Sequence, residues 1–302
     1  MSAPAMKLTT LAPWFGGKRT MAPEIVQQLG PHSYFFEGCF GGLCVIFAKE
    51  PSEHECICDL HGAITNLAWV VQREATAVEL FTSLQRHFYT DELYAKSKKW
   101  LETYELSPEP DAPEPLWAYH YFIASWMGRN GVAGTARVNY QIATRWTQGG
   151  GSGPLRFRNA VDSIPAWCER LRNVQILRRD LFKVLPKIED AAGVAVYVDP
   201  PYLHNTVSGK SRYVHDFSAD EHERLAQELR RFKHARVVVS YYASPQLARL
   251  YPGWAVLDCA RHKHLHCQNG RGSTRIDAPE VLVINGEPFA AAEQGGPGLF
   301  EE

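Results

Sequence analysis

The chain of 302 residues lacks any apolar run approaching the ~18 residues of a membrane-spanning helix, so a membrane-embedded protein is not expected. It also lacks a charge surplus: 32 Lys and Arg stand against 33 Asp and Glu, a formal net charge of −1. No global field draws it to a polyanion, and any nucleic-acid contact has to come from a local patch. A disulfide framework is missing too. The seven cysteines are an odd number scattered along a long chain, which fits a reducing cytoplasm. The opening Met1-Ser2-Ala3-Pro4 lacks the pattern of a secretory signal. Internal repeats are absent, and so is a Walker phosphate loop. Such a loop ending at Gly17-Lys18 requires Gly at position 12 and Ser or Thr at position 19, where the chain has Ala12 and Arg19. A P-loop nucleotide hydrolase is thereby disfavoured.

What is present is an ordinary globular composition, 45% apolar, in a chain long enough for one large domain or a domain with an insert. Charge is unbalanced locally. Between His120 and Asp180 there are nine arginines and no lysine, against Asp162, Glu169 and Asp180, a balance of about +6. The planar arginine fork suits phosphates and base edges, although a solvated surface would carry the same residues.

Apolar runs followed by turns and helical stretches predict strands at Tyr34-Phe35-Phe36, Cys56-Ile57-Cys58, 174–177, 194–198, 236–240 and 280–284. Helices are expected over Met21–Leu29 (with Thr20 as a cap), Cys44–Lys49, Ala63–Gln72, residues 76–105, Leu116–Met127 and Ala166–Arg172. The strand–turn–helix alternation implies an α/β, mostly parallel, doubly wound sheet of Rossmann-like type. It is interrupted by a mainly helical insert. The expected division is 1–75 and 173–290 for the α/β domain, 76–172 for the insert and 291–302 for a tail. The insert contains an acidic, proline-rich connector, Glu105 to Pro115, and a flexible loop, Thr147 to Gly153, of which Gly149–Gly153 is expected to order on binding.

The strand Val194–Val198 runs into Asp199-Pro200-Pro201-Tyr202. Proline fixes φ, carries no N–H and pushes its predecessor out of the helical region, so two in succession make a stiff ledge. An exocyclic amine can donate its hydrogens to Asp199 and the Pro200 carbonyl while Tyr202 stacks on the ring that bears it. That suits methylation of an amine on a planar heterocycle. A Pro-Pro turn after a strand is by itself more often only a turn; three upstream elements give it a context. Trp14-Phe15-Gly16-Gly17-Lys18 combines close backbone approach with an aromatic face and a cation. Glu37-Gly38-Cys39-Phe40-Gly41-Gly42 is a glycine turn between strand and helix, where free N–H groups can meet a ligand. Asp59 ends the next strand, 18 residues after Gly41, where an acid can take both ribose hydroxyls or else cap the helix near residue 63.

In this order and combination the motifs resemble those of Dam-type DNA adenine-N6 methyltransferases. The resemblance spans residues 10 to 286 and includes Asp180-Leu181-Phe182, Arg129-Asn130-Gly131, Arg137-Val138-Asn139, Tyr213-x-x-x-Phe217 and Glu280–Asn285. It departs from the family at Gly38-Cys39, where Pro-Phe is usual, at Leu43, where a third glycine is common, and most of all after Asn139. The resemblance implies S-adenosylmethionine as cofactor and double-stranded DNA as partner. Trp14, Lys18, Glu37, Gly41, Asp59, Asp180 and Asp199 would then line the cofactor site, with Asp59 on the ribose and Asp180 at the adenine. Asp199, Pro200 and Tyr202 would grip a flipped adenine. Arg129, Asn130, Arg137 and Asn139 would meet DNA, with no metal required. The expected setting is the cytoplasm of a bacterial or phage-infected cell, and a restriction endonuclease partner is compatible with such an enzyme.

Rivals within the same chemistry are cytosine N4, RNA adenine or protein glutamine as acceptor. An initial Asp in the ledge is typical of adenine-N6 enzymes, whereas Ser or Asn commonly opens the cytosine and glutamine versions. A catalytically silent DNA-binding protein on the same scaffold is the rival from another class. Cys259-x-x-His262-x-His264-x-His266-Cys267 invites zinc, but alternating histidines share one strand face and the spacing fits no common Cys/His site. Cys56 and Cys58 read as small packing residues. Tyr241 and Tyr242 could line the pocket or fill the core.

Overall fold

In a computed structural model of the chain, the described residues are 8–104, 113–128, 142, 152–203, 215–259 and 280–290. Seven strands form one sheet: β1 (Tyr34–Gly38), β2 (His54–Asp59), β3 (Val174–Arg178), β4 (Val194–Val198), β5 (Arg236–Tyr242), β6 (Ala255–Asp258) and β7 (Glu280–Ile284). Their order is β3-β2-β1-β4-β5-β7-β6. The pairs β3–β2, β2–β1, β1–β4 and β4–β5 are parallel, and β7 runs antiparallel to both neighbours. This is the Rossmann-like arrangement expected. Strand β6, with its alternation of half-buried and exposed residues, is an edge strand beyond the six expected from the sequence.

Alternation along the strands feeds two layers, as the two-residue period of a strand requires. In β4, Ala195 and Tyr197 face one core, while Val194, Val196 and Val198 face the other. The first core receives α1 (Ala22–Leu29), α2 (Cys44–Ala48) and α3 (Gly62–Gln72). The second receives α9 (Leu181–Val184), α10 (Ala219–Arg230) and α11 (Gln246–Leu250). A capping box at Ser218 and Glu221 starts α10.

Between α3 and β3 the described residues form five helices: α4 (Glu74–Gln85), α5 (Asp91–Thr103), α6 (Pro115–Met127), α7 (Gly153–Asp162) and α8 (Ile164–Leu171). The single helical stretch expected over 76–105 is two helices, because Thr90 caps a new start by accepting from Leu93 N–H. Their apolar faces join the first core, α6 and α8 packing on α3. The insert therefore shares a core with the sheet. A buried ion cluster also ties it there: Arg170 of α8 grips Glu55 of β2 through both carboxylate oxygens at 2.5 and 2.8 Å, and Lys49 meets the same carboxylate at 2.5 Å.

Thr20 does not cap α1, which starts after Met21 with no side-chain cap and Pro23 in its first turn. Among the described residues, no helix is long and apolar enough to cross a membrane, and no three His, Cys, Asp or Glu side chains form a metal-binding group.

Candidate active site

The sheet has one topological switch point. The chain steps outward from β1 to β2 and β3, then returns to β4 on the other side of β1. Ligands in open α/β sheets bind at the carboxyl ends of such strands. Backbone bonds extend the ladders there: Asp199 N–H donates to Gly38 O at 3.2 Å, and Cys39 N–H to Cys58 O at 2.8 Å. Between the strand ends opens a cavity of about 430 Å³, bordered by Trp14, Asp59, His61, Asp180, Phe182 and Asp199, among others. That volume falls within the range of small-molecule sites.

Glycine at 41 is required twice over. Its φ is +48°, and a Cβ there would stand 2.6 Å from the Trp14 indole nitrogen. The turn is bound to the neighbouring loop by Asp59, whose two oxygens accept from Gly41 N–H at 2.9 Å and His61 N–H at 2.8 Å. Asp59 is thus not the cap of α3; His61 is, accepting from Ile64 N–H at 3.4 Å. Burial raises the Asp59 pKa to about 6 against the lowering effect of these backbone donors. Burial also depresses His61 to about 4, so its ring is neutral at physiological pH. His61 meets the edge of Trp14 at 5.2 Å. Asp180 caps α9 through Phe182 N–H at 2.9 Å and borders the same cavity. Two residues at which the chain departs from the family pattern, Cys39 and Leu43, are the two non-glycine residues with positive φ among those described, +58° and +61°.

Asp199 is held on both oxygens. Lys18 Nζ lies 2.7 Å from Oδ2, and Ser240 Oγ donates to Oδ1 at 2.6 Å. Lys18 is buried; it also donates to Gly16 O at 2.7 Å, and its ammonium lies 5.0 Å from the Tyr202 ring centre. Burial raises the Asp199 pKa, with Lys18 and Ser240 pulling the other way. Glu37 is a buried carboxyl on β1 facing a void of about 10 Å³ that it shares with Lys18, Tyr197 and Asp199. Burial and then the Asp199 charge push it up to about 8, so it is mostly protonated at neutral pH.

The structure therefore brings Trp14, Asp59, Asp180, Asp199 and Pro200 together around one cavity. Lys18 and Glu37 sit behind Asp199 instead of bordering that cavity, and Gly41 reaches it through Asp59. Tyr202 is not a presented ring. It is 5% exposed, its hydroxyl donates to Glu280 at 3.3 Å, and its ring lies 4.3 Å from that of Tyr242. Tyr241 is fully buried in the second core.

Of the nine arginines counted between His120 and Asp180, Arg170 is spent on Glu55. Arg129, Asn130, Arg137 and Asn139 lie outside the described residues, as do Tyr213 and residues 260–267 of the Cys/His cluster. Ser240, Tyr197 and His61 were missed in sequence. Only His61 carried a signal, a polar residue at the expected start of a helix.

A comparison with curated proteins finds no match. Residues 14–263, well over half of the chain, match one family, and on that match the chain belongs to the D12 class N6 adenine-specific DNA methyltransferases, enzymes that methylate N6 of adenine in DNA.

Proposed function

We propose that this chain transfers the methyl group of S-adenosylmethionine to N6 of an adenine turned out of duplex DNA at a specific sequence. The observation that carries this reading is the Asp199 carboxylate. It stands at the switch point beside the 430 Å³ cavity, fixed at 2.7 Å by Lys18 and 2.6 Å by Ser240. A carboxylate oxygen has two acceptor positions, so each can still take an amine hydrogen.

The cavity fits the cofactor by size and chemistry. Asp59 offers a carboxylate at the β2 end, as an acid that pairs with ribose hydroxyls does. Glycine at 41 lets the backbone come close to Trp14, and Phe182 offers an apolar face near Asp180. When bound, S-adenosylmethionine supplies a methyl on positively charged sulfur, open to in-line attack by an amine nitrogen.

The chain's own residues position that nitrogen. Asp199 and the Pro200 carbonyl accept its two hydrogens, which turns its lone pair out of the ring system. Pre-set geometry of this kind is worth several kcal/mol of barrier. Positive charge grows on N6 during transfer, and the fixed Asp199 carboxylate stabilises it. One hydrogen then leaves as a proton, and the Asp199 oxygen already accepting it is the nearest base. Lys18 acts through Asp199, holding it charged in a buried place. Stacking on the base requires Tyr202 to leave its ring contact with Tyr242 and its hydrogen bond to Glu280. Stacking is worth about 1–3 kcal/mol per base, which offsets part of the cost of flipping. Arg129, Asn130, Arg137 and Asn139 are our choices for phosphate and base-edge contacts.

The test is transfer of labelled methyl to unmethylated plasmid DNA. Asp199→Ala should lower the rate by at least about 10²-fold with the fold retained. Near-normal turnover would refute the assigned role.

A further inference from the structure

We propose that Ser240, oriented by Tyr197, is a positioning residue that locks the Asp199 carboxylate in the orientation needed to grip the target amine. This rests on the reading of Asp199 given above.

The sheet register creates the arrangement. In the parallel β4–β5 pair, Val198 stands opposite Val239, so the next residues, Asp199 and Ser240, come side by side at the strand ends. Ser240 and Tyr197 are both buried, at 0% and 1% exposure. A serine hydroxyl has one hydrogen, and Ser240 gives it to Asp199 Oδ1 at 2.6 Å. The Tyr197 hydroxyl lies 3.0 Å from the same Oγ, so it is the donor in that contact. Burial raises the Tyr197 pKa well above its ordinary value, which keeps the donating proton in place. The proton order is thus fixed from Tyr197 to Ser240 to Asp199. It begins on β4, crosses to β5 and returns to the end of β4.

The two oxygens of Asp199 are held by different means. Lys18 supplies charge to Oδ2. Ser240 supplies none; it fixes the rotation of the carboxylate while leaving its negative charge available to the substrate. A short bond from a neutral hydroxyl to a carboxylate is among the stronger hydrogen bonds in proteins. A lone cation could not set the plane of the group, because an ammonium binds as a point charge.

Four variants test the proposal by single-turnover methylation of plasmid DNA from a methylation-free host, with affinity for S-adenosylmethionine and thermal midpoint measured alongside. Ser240→Ala should slow transfer roughly 10- to 100-fold and leave cofactor affinity within about 2-fold. Losing a donor to the charged form raises the Asp199 pKa, so the acid limb of the rate profile should move to higher pH. Ser240→Thr, which keeps the hydroxyl, should restore both. Tyr197→Phe should shift the limb in the same direction by less, and it carries the test alone if Ser240→Ala does not fold. A wild-type rate and profile in both Ser240→Ala and Tyr197→Phe, or a slowed rate with an unmoved acid limb, would overturn the proposal. If Asp199→Ala itself retains turnover, the reading of Asp199 fails first and this inference with it.

Discussion

Lys18→Met removes the cation that meets Asp199 at 2.7 Å in a place where both side chains are largely buried, 4% and 19% exposed. Two outcomes are open to the abandoned carboxylate. It can stay charged, and breaking a buried pair in this way costs about 3–5 kcal/mol. Or it can take a proton, which at pH 7 costs about 4 kcal/mol relative to an unfolded Asp titrating near 3.9, at 1.36 kcal/mol per unit. The two routes converge on a loss of about 4 kcal/mol at neutral pH. The pH dependence separates this from a packing defect. Burial already raises the Asp199 pKa in the parent protein, so folding binds a proton there and this site's contribution falls as pH rises through the folded-state pKa. Without Lys18 that pKa climbs further. The deficit of the variant should therefore be small near pH 5 and grow toward pH 8. Urea denaturation at several pH values reads it directly. Adding Asp199→Asn to Lys18→Met removes the stranded charge and should recover most of the loss. A single-variant loss under about 1 kcal/mol, a deficit equal at pH 5 and 8, or a double variant no better than the single would refute the reasoning.

Three further outcomes concern the carboxylates of Glu37, Asp59 and Glu55. Glu37→Gln should stabilise the protein by on the order of 3 kcal/mol at pH 7. The folded-state pKa of Glu37 is pushed up to about 8, so the parent loses stability between the ordinary Glu range and 8, and the variant should flatten that slope in denaturation curves. Asp59 is ionised above about 6, so calorimetric affinity for S-adenosylmethionine should weaken as pH falls through that value; Asp59→Ala should be weak at every pH. Arg170→Met should cost about 3–5 kcal/mol. Glu55 is held below its usual range by Arg170 and Lys49 despite burial, so the parent loses that contribution as pH falls and the variant should show a shallower acid decline.

Much of this site was written in the order of residues. A strand that ends in Asp-Pro-Pro, a glycine turn and an acid after the next strand are local patterns, and parallel pairing of β1, β2 and β4 brings their ends together without further information. What the sequence could not convey was depth. Glu37 and Lys18 belong to motifs that read as ligand contacts, yet they lie behind Asp199, because their strand and loop point them inward. Ser240 was invisible for a related reason. It closes an apolar run, Val237-Val238-Val239, and reads as the polar end of a strand. Only the register of β5 against β4 sets it beside Asp199. The arginine count misled in part as well. Arg170 serves the buried carboxylate of Glu55, and charge counting cannot tell such an arginine from one that faces phosphate.

The most direct measurement is a genome-wide map of modified adenines by single-molecule sequencing in a methylation-free strain that expresses the chain. The account predicts N6-methyladenine at one recurring short sequence, and none when the expressed chain carries Asp199→Ala. Absence of N6-methyladenine with the parent chain, or equal modification with the variant, would contradict it.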